Sequence, residues 1–328
     1  MAILVTGGCG FIGSNFVRRW LSMNDELLIN LDKMTYASDI TLNPEFQDDV
    51  SYIWRKGSIE DLGTLAELLM VYNPRAIINF AAESHVDNSI ANAYPFMKTN
   101  IMGTFNLLEA VRQYNPEIRF IHVSTDEVYG SLRAYDKPFT EETAYDPRSP
   151  YSASKAASDH LVSAYHHTHG LQTIITNCSN NFGPYQHPEK LIPTIIRKAL
   201  ADEPIPIYGN GENIRDWIYV TDHVDALFDV LDMGEIGQTY CIGADSEYTN
   251  LRIAHEIVEM LEKPSELITF VEDRKGHDFR YAIDSSKLYE HVGWKPNVDF
   301  YDGLYKTVEW YKQNTSWVSK CLKRSESS

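Results

Sequence analysis

Cysteine is scarce in this sequence. The four present, Cys9, Cys178, Cys241 and Cys321, are scattered, with no Cys-x-x-Cys pair and no histidine cluster at zinc spacing. A disulfide scaffold or structural zinc site therefore has no basis, and the thiols read as reduced and structural. Long apolar runs are also missing. No stretch reaches the roughly 18 apolar residues of a membrane-crossing helix. The start, "MAILVTGG", lacks the basic segment and apolar core of a secretion signal. The expectation is a cytoplasmic protein with no metal and no membrane partner. Positive charge is short as well: 29 Lys and Arg stand against 46 Asp and Glu, for a net charge of −17. That argues against nucleic acid as a partner, while leaving room for a small anionic ligand in a local basic pocket.

What is present first is alternation. The apolar runs "AILVT", "ELLINL", "AIINFAA", "FIHVST" and "LQTIITNCS" are separated by helical patterns such as "GTLAELLMVY" and "NIMGTFNLLEAVRQY". Continuous apolar strands between helices mean a parallel sheet covered on both faces. The second half turns rich in Pro, Gly, Tyr and Asn, in "NNFGPYQHPEKLIP" and "ADEPIPIYGNGENIRDW", which read as ordered binding loops. "TYCIG" then resembles one more sheet strand. The reading is an α/β fold, a doubly wound parallel sheet with a smaller, partly interleaved C-terminal domain. The boundary falls near residue 177, giving domains 1–177 and 178–328, with a return strand to the first near 218–245.

"VTGGCGFIGSNF" places Gly7, Gly10 and Gly13 between a strand and a helix. Glycines allow a tight turn and close approach to a pyrophosphate, and the helix N-terminus offers free N–H donors. The context makes this a Rossmann-type dinucleotide site. Asp32 ends the next strand, where a carboxylate accepts from both ribose hydroxyls and repels a 2′-phosphate. NAD is therefore favoured over NADP, with Lys33 beside Asp32 as the opposing signal.

In "STDEVYG" a strand ends in Ser124, Thr125, Asp126 and Glu127. Neighbouring strand residues point to opposite faces, so the backbone must leave strand geometry for both carboxyls to meet one target. In "SPYSASK", Ser149 is placed to cap a helix and Pro150 to begin it. Tyr151 and Lys155 then lie one turn apart, and a nearby ammonium favours the phenolate.

These motifs, with "SNNFGPYQHPEKLIP", "RDWIYVTDH", "DRKGHDFRYAID" and "GWKP", resemble the extended short-chain dehydrogenase/reductase superfamily. Within it they resemble the nucleoside-diphosphate-glucose 4,6-dehydratases, best known for dTDP-glucose; the resemblance favours dTDP-glucose as substrate, with UDP-glucose close behind. The similarity runs through nearly the whole chain. The glycine loop and Tyr-Lys pair mark only the superfamily, whereas the Asp-Glu pair and "DRKGH" are far more specific.

The resemblance implies transient oxidation at sugar C4, elimination of water across C5 and C6, and hydride return to C6. Tyr151 would take the 4-hydroxyl proton, Thr125 hold that hydroxyl, Glu127 take the C5 proton and Asp126 protonate the leaving 6-hydroxyl. Lys155 would hold a ribose. It further implies Ala81 and Ala82 beside the nicotinamide half of NAD, and Ser84 between cofactor and sugar. Phe11, Ile12, Thr35, Ile59, Thr99 and Ser124 are further implied cofactor contacts. Asn180 and Asn181 match positions near the sugar and the nicotinamide. Lys190, Leu191, Pro206, Tyr208, Arg215, Asn250, Arg274 and His277 match nucleotide and diphosphate contacts.

Three positions depart from the family pattern. Ser58 stands where an Asp usually meets the adenine amino group, Ser38 where Gly is usual, and Asn88 where Arg is common. Other scaffold-sharing enzymes are the competing readings: a 4-epimerase or UDP-glucuronate decarboxylase, which needs no proton donor at C6, and a GDP-mannose 4,6-dehydratase, which usually takes NADP. A non-catalytic dinucleotide sensor would usually lack the Tyr or Lys. The small and apolar residues of "NIMGTFNLLEAV" and "YSASKAASDHLVSAY" imply, through the resemblance, a homodimer interface.

Overall fold

A computed structural model describes residues 1–39 and 49–326. Among the described residues twelve strands follow in chain order: β1 (Ala2–Thr6), β2 (Leu27–Asp32), β3 (Tyr52–Lys56), β4 (Ala76–Asn79), β5 (Arg119–Thr125), β6 (Thr173–Cys178), β7 (Asn180–Phe182), β8 (Ile205–Tyr208), β9 (Ile214–Tyr219), β10 (Thr239–Ile242), β11 (Glu247–Thr249) and β12 (Ile268–Val271). Seven form one sheet in the order β3-β2-β1-β4-β5-β6-β10. All of its neighbouring pairs are parallel. Apolar residues on both faces of the inner strands explain this, because alternate side chains feed two different cores. Ile3, Val5 and Ile78 pack with Phe16, Trp20 and Leu227 on one side. Leu4, Ile29 and Ile77 pack with Leu65, Leu107 and Val162 on the other.

The edge strand β3, "YIWRK", is not apparent from apolar runs, because its last two residues are exposed and charged. β10, within "TYCIG", pairs with β6, with Tyr240 opposite Thr176. The helix Val220–Met233 precedes β10, and Val224, Leu227 and Val230 join the same core as Phe16 and Trp20. A third core, around Phe182, Ile195, Trp217, Ile257 and Leu304, belongs to the second half of the chain. The small sheets β11-β9-β7 and β12-β8 sit there.

Strand order reverses between β1 and β4, and ligands of open α/β sheets bind in the crevice outside the strand ends at such a point. The loops after β1 and β4 nearly touch. A Cβ on Gly7, whose φ is +74°, would lie 2.7 Å from the Ala81 nitrogen. The expected "NIMGTFNLLEAVRQY" helix divides into a π-helical turn, Met97–Gly103, and an α-helix, Thr104–Tyr114. Within that turn Gly103 packs so closely that a Cβ would fall 2.5 Å from Ile59 Cδ1.

Candidate active site

A long cavity runs along the strand ends. Its walls include the glycine loop from Gly7 through Phe11, Ile12 and Gly13, then Asp32, Lys33, Thr35, Ser58, Ile59 and Thr99. They continue through Ala81, Ala82, Ser84, Ser124, Thr125, Glu127, Tyr151 and Lys155 to Asn180, Asn181 and Lys190. Gly10 caps the helix Phe11–Met23 without any side-chain cap bond, so its first-turn N–H groups remain available to an anion. A Cβ on Gly13 would stand 2.3 Å from the Gly7 carbonyl oxygen, so only glycine allows this approach. The cradle has the donors and clearance a pyrophosphate requires.

Asp32 is held by three donors: Cys9 N–H at 2.9 Å, Met34 N–H at 2.8 Å and the Ser38 hydroxyl at 2.9 Å. Burial raises its pKa while the backbone donors oppose that shift. The unusual Ser38 thus takes one lone pair that a ribose hydroxyl could use. Lys33 is already engaged. Its ammonium lies 3.2 Å from Glu60, 3.5 Å from Glu83 and 3.2 Å from the Thr99 hydroxyl. Burial raises the Glu60 pKa, but Lys98, Thr99 and Lys33 together bring it down to about 2. The carboxylates around Lys33 leave little to attract a 2′-phosphate. Ser58 accepts the Glu60 N–H at 3.2 Å.

β5 ends at Thr125, and Asp126–Tyr129 form one 3₁₀ turn. The Thr125 hydroxyl caps it by accepting the Glu127 N–H at 3.3 Å. This is the expected departure from strand geometry. Successive residues of a 3₁₀ turn are about 120° apart rather than on opposite faces. Glu127 reaches the cavity wall. Asp126 lies behind it, 1% exposed. Its Oδ1 accepts the Thr125 hydroxyl at 3.3 Å, and its buried Oδ2 has no hydrogen-bond partner.

Electrostatics separates the two acids. Burial drives Asp126 far above the ordinary carboxyl range, with Glu127 and Asp216 adding to the rise. Burial also raises Glu127, but Arg215, Lys190 and Arg274 all oppose it. Both carboxyls end up raised, but Asp126 has two neighbouring acids adding to the rise against Arg215, whereas Glu127 has three cations opposing it against Asp278, and such a difference in setting is how a site assigns an acid and a base.

The helix Pro150–His169 opens with Ser149 and Ser152 in a reciprocal capping box. Tyr151 and Lys155 are 8% and 3% exposed. The sequence expectation that Lys155 pulls the phenol down is not what governs it here. Burial, Glu127, Cys178 and Asp126 push Tyr151 well above its usual value, and a Thr125 hydrogen bond opposes them. The Lys155 ammonium instead donates to the Val123 carbonyl at 2.9 Å and lies 3.3 Å from His122 Nε2. Burial lowers its pKa, countered by Asp159 and Cys178.

Most nucleotide-side residues lie off these walls. Lys190 donates to the Ser84 carbonyl at 2.9 Å. Arg274 pairs with Asp87 at 2.8 Å and lies over the Tyr208 ring at 5.1 Å. Tyr208 also meets the His277 ring at 6.3 Å. Arg215, on β9, stacks 4.2 Å over Tyr281 and donates to the Asp278 carbonyl at 2.9 Å. Asn250 opens the helix Asn250–Met260 with a buried, unpartnered Oδ1. Pro206 is exposed on β8, opposite Thr269, and Leu191 packs against the third core. Asn181 accepts at 2.9 Å from His223 Nδ1, while the buried Asn180 Oδ1 has no partner.

Sequence reading missed several wall residues: Glu83, Cys178, Gln186, His187 and Glu189. The "NNFGPYQHPEKLIP" loop was legible as a binding segment, but which of its polar residues face inward was not. Glu189 accepts from Tyr36 at 3.0 Å, and the unusual Asn88 donates to the same Tyr36 oxygen at 3.2 Å. Among the described residues no group of three or more His, Cys, Asp or Glu could hold a metal ion. No described helix is long and apolar enough to cross a membrane.

A family model described as GDP-mannose 4,6 dehydratase matches residues 4–307. A dTDP-glucose 4,6-dehydratase of Xanthomonas campestris is 49% identical, across 97% of this chain and 95% of that relative. dTDP-glucose 4,6-dehydratase 1 of Escherichia coli is 48% identical, across 97% and 94%. The solved dTDP-glucose 4,6-dehydratase DesIV of Streptomyces venezuelae, crystallised with NAD bound, superposes with a TM-score of 0.95 at 43% identity, covering 98% of this chain and all of that one. A UDP-glucose 4-epimerase of Thermotoga maritima shares the scaffold at a TM-score of 0.89 but only 27% identity, over 96% of this chain and 100% of its own. With the Asp126–Glu127 turn beside Tyr151 and near-full-length identity close to one half, the chain belongs to the nucleoside-diphosphate-glucose 4,6-dehydratases of the dTDP-glucose type.

Proposed function

We infer that this protein dehydrates dTDP-glucose to its 4-keto-6-deoxy form, with NAD as a cofactor that is regenerated in each turnover. The carrying observation is the 3₁₀ turn that sets Asp126 and Glu127 side by side, both raised by burial but with more cations opposing the rise at Glu127. Adjacent carbons C5 and C6 need a base and an acid at once, and adjacent residues supply them.

The cofactor would lie along the cavity, with its pyrophosphate on the Gly7–Gly13 loop and a ribose at Asp32. When bound, NAD accepts the C4 hydride and gives it back at C6. The chain's own residues move the protons. Thr125 orients the 4-hydroxyl and Tyr151 takes its proton. Glu127 takes the C5 proton, made acidic by the 4-ketone, and later returns it. Asp126 protonates the 6-hydroxyl as it leaves as water. Arg215 and Arg274 offer planar forks suited to the diphosphate, with Lys190, Tyr208, His277 and Asn250 completing that side.

In this reading residues 1–177 and the return through 218–245 hold the cofactor, while 178–328 hold the nucleotide sugar. We also propose a homodimer that works in the cytoplasm, with neither nucleic acid nor membrane as a partner. The contacting helices Thr104–Tyr114 and Pro150–His169, with the exposed Met102 and Tyr94 near them, support that interface. A monomer by light scattering at micromolar concentration would count against it. The function is tested by incubation with dTDP-glucose and UDP-glucose separately, following the 4-keto-6-deoxy product. Faster turnover of UDP-glucose would move the assignment to the uridine nucleotide. An epimer without loss of water would refute it.

A further inference from the structure

A row of buried polar side chains crosses the sheet beneath the crevice, between apolar neighbours such as Val5, Ile78 and Ile121. Thr6, Asn79 and His122 stand directly opposite one another on β1, β4 and β5. All three are at most 1% exposed. The Thr6 hydroxyl donates to Asn79 Oδ1 at 2.6 Å, and Asn79 Nδ2 lies 3.1 Å from His122 Nδ1. His122 Nε2 lies 3.1 Å from the Ser158 hydroxyl, 3.3 Å from the Lys155 ammonium and 3.4 Å from Asp159 Oδ1. The reaction assigned above uses none of Thr6, Asn79 or His122, and polar groups are costly to place in a core.

The row fixes the state of the ring. Burial and the Lys155 charge lower the His122 pKa to about 4, against Asp159. Near neutral pH one ring nitrogen therefore carries a proton and the other accepts. Its neighbours choose which. Thr6 makes no other side-chain hydrogen bond among the described residues, so its proton holds Asn79 Oδ1 and leaves Nδ2 to donate to His122 Nδ1. At the far edge of the ring Ser158 gives its proton to the Lys155 carbonyl at 2.8 Å, and so offers Nε2 only lone pairs. Asp159 Oδ1, which has no hydrogen-bond partner, adds negative charge on the same side. All three are satisfied by a proton on Nε2.

Resting on the reading of Lys155 as a ribose contact, we propose that His122 is a positioning residue for Lys155: its protonated Nε2 denies the ammonium an acceptor inside the protein, so that the free N–H donors face the cavity and its cofactor. An ammonium has three donors. The Val123 carbonyl takes one at 2.9 Å. The opposite tautomer would take a second through a charge-assisted bond to a bare Nε2. That bond would draw Lys155 back from the cavity wall it lines.

The test measures NAD binding by calorimetry on the full chain freed of cofactor. His122→Gln can turn its amide oxygen to Lys155, whereas His122→Leu offers no acceptor. The glutamine variant should bind NAD roughly tenfold more weakly than the leucine variant, the scale of one hydrogen bond to a charged group. A role limited to satisfying Asn79 and Ser158 predicts the reverse, because glutamine keeps hydrogen bonds that leucine cannot make. Equal affinities or the reverse order overturn the proposal. A second measurement does not depend on the leucine variant folding. In wild type labelled with ¹⁵N-histidine, long-range NMR correlations near neutral pH should show His122, identified by its loss in His122→Gln, with Nε2 protonated and Nδ1 bare. The opposite pattern overturns the proposal as well. Failure of wild type to bind NAD, with Nε2 protonated, would instead overturn the cofactor reading.

Discussion

Replacing Asp126 by Asn separates chemistry from stability in a way the structure quantifies. Asn keeps Oδ1, so the Thr125 hydrogen bond at 3.3 Å survives. Its Nδ2 takes the place of an oxygen that already lacks a partner. One unsatisfied buried group is exchanged for another, so the folded state should change by no more than about 1 kcal/mol, or roughly 2 °C in Tm. What is lost is the proton for the 6-hydroxyl. General acid catalysis is worth about 10²–10⁴. With Glu127 serving as base and Tyr151 engaged at C4, the upper part of that range applies, about 4–5 kcal/mol of barrier. Oxidation at C4 should suffer less, so reduced cofactor should build up in a single turnover, visible by its absorbance.

The pH dependence gives a second handle on the same variant. Asp126 is raised when folded, so the unfolded chain releases its proton first. Wild-type stability is then lost as pH rises from about 4 through the raised pKa. Asn has no such loss, so the Tm of the variant should gain on wild type between pH 5 and pH 8. Turnover within tenfold of wild type, or a Tm advantage that shrinks with pH, would refute the reasoning.

Glu127→Gln should stop exchange of the C5 proton with solvent, followed by mass increase of the nucleotide sugar in heavy water; exchange at the normal rate would mean another base. Arg215→Lys should raise KM roughly tenfold with a smaller change in kcat, because an ammonium cannot both stack on Tyr281 and donate to the Asp278 carbonyl as the guanidinium does. His223 is buried, with Nδ1 2.9 Å from Asn181 Oδ1, and burial lowers its pKa to about 3. The unfolded chain takes up that proton below about pH 6.5 while the native state does not, so its contribution is lost as pH falls from there. His223→Gln should therefore gain Tm relative to wild type between pH 7 and pH 4.5, read by thermal melts.

Much of this protein is legible in its sequence because local chemistry specifies it. Continuous apolar strands have only one way to be covered, between two layers of helices, and the sheet follows. Gly7, Gly10 and Gly13 sit where a strand meets a helix, and "STDEVYG" crowds acids onto a strand end that cannot use them as a strand. Ser149 and Pro150 mark the start of their helix by capping chemistry alone. Tertiary structure decided what these local signals leave open. It occupied Lys33 with Glu60, Glu83 and Thr99, partners drawn from three separate segments. It turned Lys155 toward Val123 and His122 and left the Tyr151 phenol under the influence of two carboxylates. It gave Glu127 three cations from distant parts of the chain and Asp126 a buried neighbour, Asp216. Spacing along the chain sets which residues share a turn, but charge acts through space and burial, and those distances exist only once the chain has folded.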